Sequence, residues 1–257
     1  MEKKSIQDYF FFGTAVRFLQ DVKPGYKIFG IGWVLPNIDL CLGQLDELGL
    51  NVTKIAAWKL IQFRDKLAKV TDKSSVLSKE QAAELDQICD TLRVTLESEL
   101  QTIEAFVVTP KRFDTNKLLN DVGSLMSPGI FSALPEPIQY DLSEAGKCIA
   151  FDRSTAAAFH LLRGTEAVLR QFYCTLILTK RVPILLWGDM VQDLRTRTKT
   201  KKHTTLYNNL DNIRHSYRNP TLHPEAIYDI HEAQDLLPLC FEAITRMTKI
   251  IQKNGNH

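Results

Sequence analysis

A mainly α-helical fold is predicted for this chain of 257 residues, with a helical hairpin region in its first half and a helical bundle in its second. Apolar residues recur at helical spacing through most of the sequence, which is the primary signal of amphipathic helices. Ser78-Lys79-Glu80-Gln81 has the serine and glutamine of a capping box, which marks the start of a helix. Phe106–Pro110 is rich in β-forming residues but ends in proline, so it predicts at most a short strand or an extended connector.

Residues 1–109 are predicted to form an aromatic-rich, partly irregular lead followed by a long helical hairpin. A short helix is predicted near Ser5–Gln20, and the aromatic side chains around it are expected to pack onto the next helices, with base stacking as the alternative. One arm of the hairpin is predicted over Pro36–Val70, where Gly43 and Gly49 are able to bend or interrupt it. The other arm follows the capping box to about Ala105. The charged face of the hairpin fits a solvated surface or a partner-binding one.

Residues 110–140 are predicted to be a linker with a short helix near Asn116–Asp121, because prolines and glycines punctuate this stretch. Helical patterns resume in residues 141–257. They predict a short helix over Ser143–Ala150, a long one over Asp152–Leu178, a helix over Thr204–Arg218 and a closing helix over Pro224–Gln252. On the long helix the predicted inward side chains include Phe159, Leu162, Leu169 and Phe172.

The composition is that of an ordinary globular protein, with 44% apolar and 24% charged residues and a formal net charge of +2. Any affinity for nucleic acid must therefore come from a local patch. Five scattered cysteines without a Cys-x-x-Cys pair favour reduced thiols in a cytoplasmic protein and disfavour structural zinc. No apolar run is long enough to predict a membrane span, and no motif demands a metal or a cofactor.

The strongest local excess of positive charge lies in residues 179–203. It includes a loop-like run that contains Arg195, Arg197, Lys199, Lys201 and Lys202. Such a run is able to follow an RNA backbone. A mobile, solvated loop explains the same residues equally well.

The densest group of chemically active side chains is the stretch Arg214–Glu225, which reads RHSYRNPTLHPE. Asn219 and His223 each precede a proline and are thereby disfavoured in a helix interior. The preceding helix is therefore expected to stop near Asn219, and the next to start around Pro224. A proline-broken turn of this kind allows the side chains of Arg218 and His223 to face one opening.

The pair suits chemistry on RNA. An arginine holds a phosphate bidentately and stabilises developing charge, whereas a histidine exchanges a proton near neutral pH. Asn219 is placed to orient either group. Arg214 and His215 lie one helical turn earlier and compete for the same roles. On spacing alone, surface or capping residues explain such a pair more often than catalysis does.

The segment Arg218-Asn219-Pro220-Thr221-Leu222-His223 resembles the Arg-x4–6-His motif of HEPN domains (higher eukaryotes and prokaryotes nucleotide-binding). Residues Ser154–Arg170 look like the long early helix of that family, and the resemblance spans about Tyr140–Lys253. It implies a HEPN-like helical bundle in which Arg218, Asn219 and His223 are catalytic, with Asn219 in a supporting part. The family motif does not require the prolines that follow Asn219 and His223.

Many HEPN proteins are metal-independent endoribonucleases of toxin–antitoxin and other prokaryotic defence systems, and act as homodimers that share one cleft. The resemblance therefore implies RNA as substrate, 2′,3′-cyclic phosphate products, a second copy of the chain and an antitoxin or defence-system protein as partners. The alternative is a non-catalytic dimerisation scaffold or a nucleotide-sensing subunit. By the same resemblance Arg163 and Glu166 support the site, although a surface salt bridge explains them equally well. His160 is interpreted as a packing residue.

Overall fold

The structure is a computed structural model that describes residues 4–177, 186–197, 200–221 and 223–255. It divides into two compact units, Met1–Phe106 and Val107–His257, each with its own hydrophobic core. Helices dominate both units, which confirms the mainly α-helical fold class. The only β pairing within the described residues is an isolated bridge between Lys27 and Val76. The stretch 106–110 is irregular, so no strand forms there.

The described residues of the first unit form five helices: α1 Ile6–Gln20, α2 Val34–Glu47, α3 Asn51–Ala56, α4 Trp58–Ala68 and α5 Lys79–Leu100. The predicted capping box starts α5, with Ser78 and Gln81 bonded reciprocally. The arm predicted over Pro36–Val70 is divided into three helices, and one of the two breaks falls at a glycine where an interruption was expected. The chain turns at Gly49, whose φ of +72° is readily adopted by glycine, and breaks again at Ala57, between α3 and α4.

The second unit contains α6 Thr115–Asn120, α7 Glu136–Ala150, α8 Ser154–Ile177, α9 Trp187–Thr196, α10 Thr204–Ile213, α11 Asn219–Thr221 and α12 Ile230–Gly255. Helix α8 is central and packs against both α7 and α12. Its inward face is fully buried at residues such as Leu161, Val168 and Phe172. No helix in the described part of the chain is long and apolar enough to span a membrane.

The segment predicted as a linker is part of the second unit. Its apolar side chains are buried in the second core, at Leu118, Val122, Met126, Ile130 and Leu134. The prolines and glycines do end regular helices here, as predicted. They leave short helical turns, Val122–Leu125 and Phe131–Ala133, that still direct apolar side chains inward.

One close approach fixes this segment on α7. A β-carbon added at Gly146 would lie 2.5 Å from the carbonyl oxygen of Leu118. We therefore expect Gly146→Ala to lower the free energy of unfolding by about 1–2 kcal/mol, because the backbone of α6 would have to move. Chemical denaturation measures this change. Gly13→Ala on α1 is the control, since its β-carbon would meet nothing within 4 Å and is expected to stabilise the helix slightly. Equal effects of the two changes would contradict the packing described.

Three helix boundaries differ from prediction in the second unit. Helix α7 begins at Glu136 rather than Ser143, with Pro137 in its first turn, where proline is tolerated. Helix α9, over which no helix was predicted, ends at Thr196, two residues into the run that was predicted as loop-like. Helix α12 begins at Ile230 rather than Pro224, because Asp229 and Glu232 form reciprocal side-chain-to-backbone bonds of 2.8 Å that cap it.

All five cysteines are free thiols, as expected from their scattered positions, and three of them are buried. Burial raises the pKa of Cys41, Cys89 and Cys240 to about 12. These three thiols are therefore core residues that stay protonated at neutral pH.

Candidate active site

The helix that leads into the Arg-x4-His segment does not end at Asn219, where it was predicted to stop. Helix α10 continues through a π-helical segment, Arg214–Arg218, into the short α11. The Asn219 N–H donates to the carbonyl oxygen of Arg214, five residues earlier. Pro220 lacks an N–H, and in a regular α-helix its ring would clash with the carbonyl four residues before it. The wider π turn accommodates the proline, so the helix reaches Thr221.

Arg218 leaves this π-helical segment towards α8 and meets Glu166. Its Nη2 and Nε atoms lie 3.3 and 3.4 Å from Glu166 Oε2. The other oxygen of Glu166 accepts a 2.8 Å bond from Arg170 Nη2. One carboxylate thus faces two guanidinium groups, which leaves a positive surplus at a partly buried position. The contact from Arg218 is the longer of the two, so it is the weaker.

These side chains line an open cleft of about 340 Å³. The lining comes from α8 and from the end of the motif helix: Phe159, Leu162, Arg163, Glu166, Ala167, Arg170, Arg218 and Thr221. Arg170 and Arg218 share the single Glu166 carboxylate, so the cleft keeps a surplus of positive charge that favours an anionic ligand such as a phosphate. Its volume lies at the lower end of the range for small-molecule and cofactor pockets.

Arg163 is held at the rim of the cleft by α7. Its Nε lies 2.8 and 3.0 Å from the two oxygens of Asp141, and its Nη2 also bonds this carboxylate. His160 Nδ1 lies 3.0 Å from the same group. Burial by itself raises the pKa of Asp141, but the bonds from Arg163 and His160 outweigh it and hold that pKa below its usual value. His160 is therefore a partly buried histidine with a hydrogen-bond partner, which agrees with its interpretation as a packing residue.

His223 lies two residues beyond the end of α11, with its side chain exposed. Its backbone N–H donates to the Pro220 carbonyl at 2.8 Å, and its own carbonyl accepts from Ala226 at 3.1 Å. The imidazole makes no hydrogen bond to any residue that the structure describes. It is therefore available to a ligand.

The connection that carries His223 is attached to α8 at both of its ends. Arg218 contacts Glu166, and the Tyr228 N–H donates to Thr155 Oγ1 at 3.2 Å. These two positions on α8 are about 16 Å apart at about 1.5 Å of helix rise per residue. His223 belongs to the connection between these two contacts and is not among the described residues that line the cleft.

Tyr228 also holds the end of the motif helix. Its hydroxyl donates to the Tyr217 carbonyl at 2.9 Å and lies 2.7 Å from Thr221 Oγ1. The Tyr217 and Tyr228 rings stack with centroids 6.1 Å apart. The chain on either side of His223 is thereby fixed, although the sequence pattern had not marked Tyr228 as relevant.

We expect Tyr228→Phe to lower the free energy of unfolding by about 0.5–1.5 kcal/mol, the usual net value of a hydrogen bond. The lost hydroxyl bridges Tyr217 and Thr221, whereas the ring stacking is kept. Thermal and denaturant unfolding measure the loss. The matched control is Tyr140→Phe, because Tyr140 is exposed, and it is expected to change stability by less than about 0.5 kcal/mol. A Tyr228→Phe protein as stable as the parent would show that this hydroxyl does not hold the turn.

Arg214 and His215 are not among the described residues that line the cleft. Arg214 Nη2 lies 2.8 Å from His215 Nε2 and 3.5 Å from Asp211. The Arg214 guanidinium packs so closely over Gly188 of α9 that a β-carbon there would collide with it. Asn219 is exposed beside Arg218. Of the two Arg/His pairs that the sequence offered, the structure places only Arg218 in the cleft.

The basic stretch has two arginines that are already paired. Arg195 belongs to α9, not to a loop, and bonds Asn208 at 2.9 Å and Asp211 at 2.7 Å. Arg197 bonds Asp193 at 2.8 Å. Lys202 is exposed. Lys199 and the side chain of Lys201 lie outside the described residues.

Sequence reasoning missed two cleft residues on α8. Phe159 was expected to point inward, but this is wrong: its side chain is 52% exposed and lines the cleft. Arg170 was visible as the partner of Glu166 at helical spacing, but not as part of a site. Phe159, Arg163, Glu166 and Arg170 follow one another at intervals of four, three and four residues. That spacing is the signal that places them on one helix face.

Among the described residues no group of three or more histidine, cysteine, aspartate or glutamate side chains is arranged to hold a metal ion. No family model, curated protein or solved structure matches the chain.

Proposed function

We propose that this chain is a metal-independent endoribonuclease of the HEPN type. The observation that carries the proposal is the arginine-lined cleft that holds Arg218, and the exposed imidazole of His223 follows five residues further along the chain. The cleft supplies positive charge for a phosphate, and the imidazole supplies a proton acceptor near neutral pH. The resemblance of residues 218–223 to the HEPN motif supports the same reading.

In the proposed reaction the 2′-oxygen of a ribose attacks the adjacent phosphorus and the bond to the 5′-oxygen of the next nucleotide breaks. His223 takes the 2′-hydroxyl proton, or gives a proton to the leaving 5′-oxygen. Arg218 binds the non-bridging phosphate oxygens and stabilises their charge as it grows. The products are a 2′,3′-cyclic phosphate and a 5′-hydroxyl end.

Arg218 must exchange Glu166 for the phosphate when substrate binds. Its contacts with Glu166 are 3.3–3.4 Å long, and Glu166 keeps its 2.8 Å bond to Arg170 after the exchange. The carboxylate is therefore not left unpaired when Arg218 turns to the substrate. Glu166 thus positions Arg218 in the free protein at little cost to binding.

The proposed setting is a cytoplasmic defence or toxin system of a prokaryote. A homodimer would bring a second His223 to the cleft, so that one imidazole acts as base and the other as acid. An antitoxin or another defence-system protein is the proposed regulator. A second copy would supply the other member of the acid–base pair, because the reaction uses both a base and an acid.

A second candidate is a subunit that binds a nucleotide at this cleft without cleaving RNA. The ion pair between Arg218 and Glu166 favours this candidate, because a guanidinium that is paired in the free protein is able to exchange the carboxylate reversibly for a phosphate group. This candidate retains the cleft and the arginines but gives His223 no role in proton transfer.

The two candidates differ in the chemistry of RNA ends. Total RNA is incubated with the purified protein in EDTA, and the 3′ ends are mapped with and without removal of cyclic phosphates. New ends that become ligatable only after that removal are expected of the ribonuclease. Intact RNA, together with saturable binding of a nucleotide that Arg218→Ala abolishes, would favour the nucleotide-binding subunit.

A further inference from the structure

We infer that Phe159 forms a stacking subsite for the base next to the phosphate held by Arg218. This inference rests on the proposed function and adds a residue that selects an unpaired nucleotide. Phe159 lines the same cleft as Arg218, yet its side chain is 52% exposed. An exposed phenylalanine is common by itself; its position within an arginine-lined cleft is what points to a base.

The layout of α8 separates an aromatic end of the cleft from a cationic one. Phe159 lies at the N-terminal end of the lining face, and Glu166 and Arg170 lie two and three turns further on. The distance from Phe159 to Arg170 along the helix axis is about 16 Å at about 1.5 Å per residue. Arg218 contacts Glu166 between them. A base at Phe159 and a phosphate at Arg218 are thus two parts of one ligand that lies along the helix.

His223 lies on the connection that follows the motif helix. Its connection runs from Arg218, opposite Glu166, to Tyr228, opposite Thr155. Phe159 is on α8 between those two positions. The proposed subsite therefore lies on the stretch of α8 that the two contacts of this connection bound.

The polar surroundings of Phe159 suit a nucleotide better than a buried apolar contact. Arg163, one turn further along α8, keeps its guanidinium at the rim by bonding Asp141. The Tyr140 ring is exposed and meets His160 edge to face at 6.4 Å. An aromatic face flanked by cationic groups is how proteins bind single strands, because every base has a π face and every linkage a negative charge.

The experiment uses the full chain and a fluorescein-labelled, single-stranded 2′-O-methyl RNA oligonucleotide. This probe has no free 2′-hydroxyl, so it binds without being cut. Fluorescence anisotropy at fixed salt gives Kd for the parent, Phe159→Ala, Phe159→Tyr and Phe10→Ala. Phe10 is the matched control, since it is a helical phenylalanine on α1 that is 65% exposed.

Phe159→Ala is expected to weaken binding about five- to 150-fold, the usual effect of removing one stacked base contact. Phe159→Tyr keeps the ring and is expected to bind within about twofold of the parent, as is Phe10→Ala. The duplex form of the same oligonucleotide is expected to bind more weakly than the single strand, and equally to the parent and to Phe159→Ala.

The inference is overturned if Phe159→Ala binds the single strand as tightly as the parent, or if the parent does not bind it. It is also overturned if the loss of affinity comes with a change in oligomeric state on size exclusion, because the ring would then act between copies. Cleavage of the unmodified strand is measured in parallel. If the unmodified strand is cut equally by the parent and by Phe159→Ala, the ribonuclease proposal holds and the subsite proposal fails. If binding depends on Phe159 but no strand is cut, the subsite proposal holds and the ribonuclease proposal fails.

Discussion

His223→Ala is expected to lower the rate of RNA cleavage by about 10²–10⁴-fold, the usual contribution of a general acid or base. Arg218→Ala is expected to lower it by about 10²–10³-fold, as for loss of a group that stabilises developing negative charge. The double variant should be scarcely slower than the worse single variant, because residues that act as a unit have non-additive effects. Initial rates on total RNA in EDTA measure all three.

The matched comparison lies within the same stretch of chain. His215→Ala removes an exposed histidine that the structure directs towards Arg214 rather than into the cleft. It is expected to cut RNA at nearly the parent rate. If His215→Ala lost activity while His223→Ala kept it, His215 and not His223 would be the residue that transfers the proton. The geometry of the π-helical segment described above would then differ from the one used in catalysis.

Asp141→Asn is expected to lower the free energy of unfolding by about 2–3 kcal/mol. The Asp141 side chain is 8% exposed and accepts bonds from both Arg163 and His160, and hydrogen bonds to charged groups contribute about 1.5–3 kcal/mol each. The loss stays below the 3–5 kcal/mol that is typical of a fully buried pair, because Arg163 is 64% exposed and water solvates its charge once the carboxylate is gone.

The pH dependence of that loss has a defined sign. The folded-state pKa of Asp141 is lowered, so its carboxylate stabilises the fold above the unfolded pKa of about 3.9. That contribution is lost as pH falls through the folded pKa. The stability gap between the parent and Asp141→Asn should therefore be constant near neutral pH and shrink below about pH 4. Urea unfolding at several pH values measures it.

Glu144→Gln is the control on the same helix, since Glu144 pairs with Lys147 at a more exposed site. It is expected to cost at most about 1 kcal/mol. Equal losses from the two variants, or a gap that widened in acid, would contradict the role given to Asp141.

The sequence was most informative where local chemistry decides the structure. The capping box at Ser78 and the apolar spacing of α8 each predicted a helix close to the observed one. The arm predicted over Pro36–Val70 is interrupted at Gly49, as the sequence allowed, and again at Ala57, which no local signal marked. The stretch predicted as a linker packs its apolar side chains into the core of the second unit. Both outcomes depend on tertiary packing, which cannot be predicted from the positions of proline and glycine alone.

The candidate site shows the same limit. The proline rule placed the helix end at Asn219, but the chain absorbs Pro220 in a π turn and continues. Helical spacing predicted that the Phe159 side chain points into the core, whereas the residue is exposed and lines the cleft. Arg218 and Glu166 are 52 residues apart, and no local pattern links two such positions. Their contact appears only when α8 and the motif helix are packed together.

The most direct measurement is RNA cleavage in the presence of EDTA by the parent and by the Arg218→Ala/His223→Ala double variant, side by side on the same total RNA. We expect the parent alone to cut, leaving 2′,3′-cyclic phosphate ends, and the double variant to be slower by at least about 10²-fold. Equal cleavage by both proteins would show that Arg218 and His223 are not the catalytic pair.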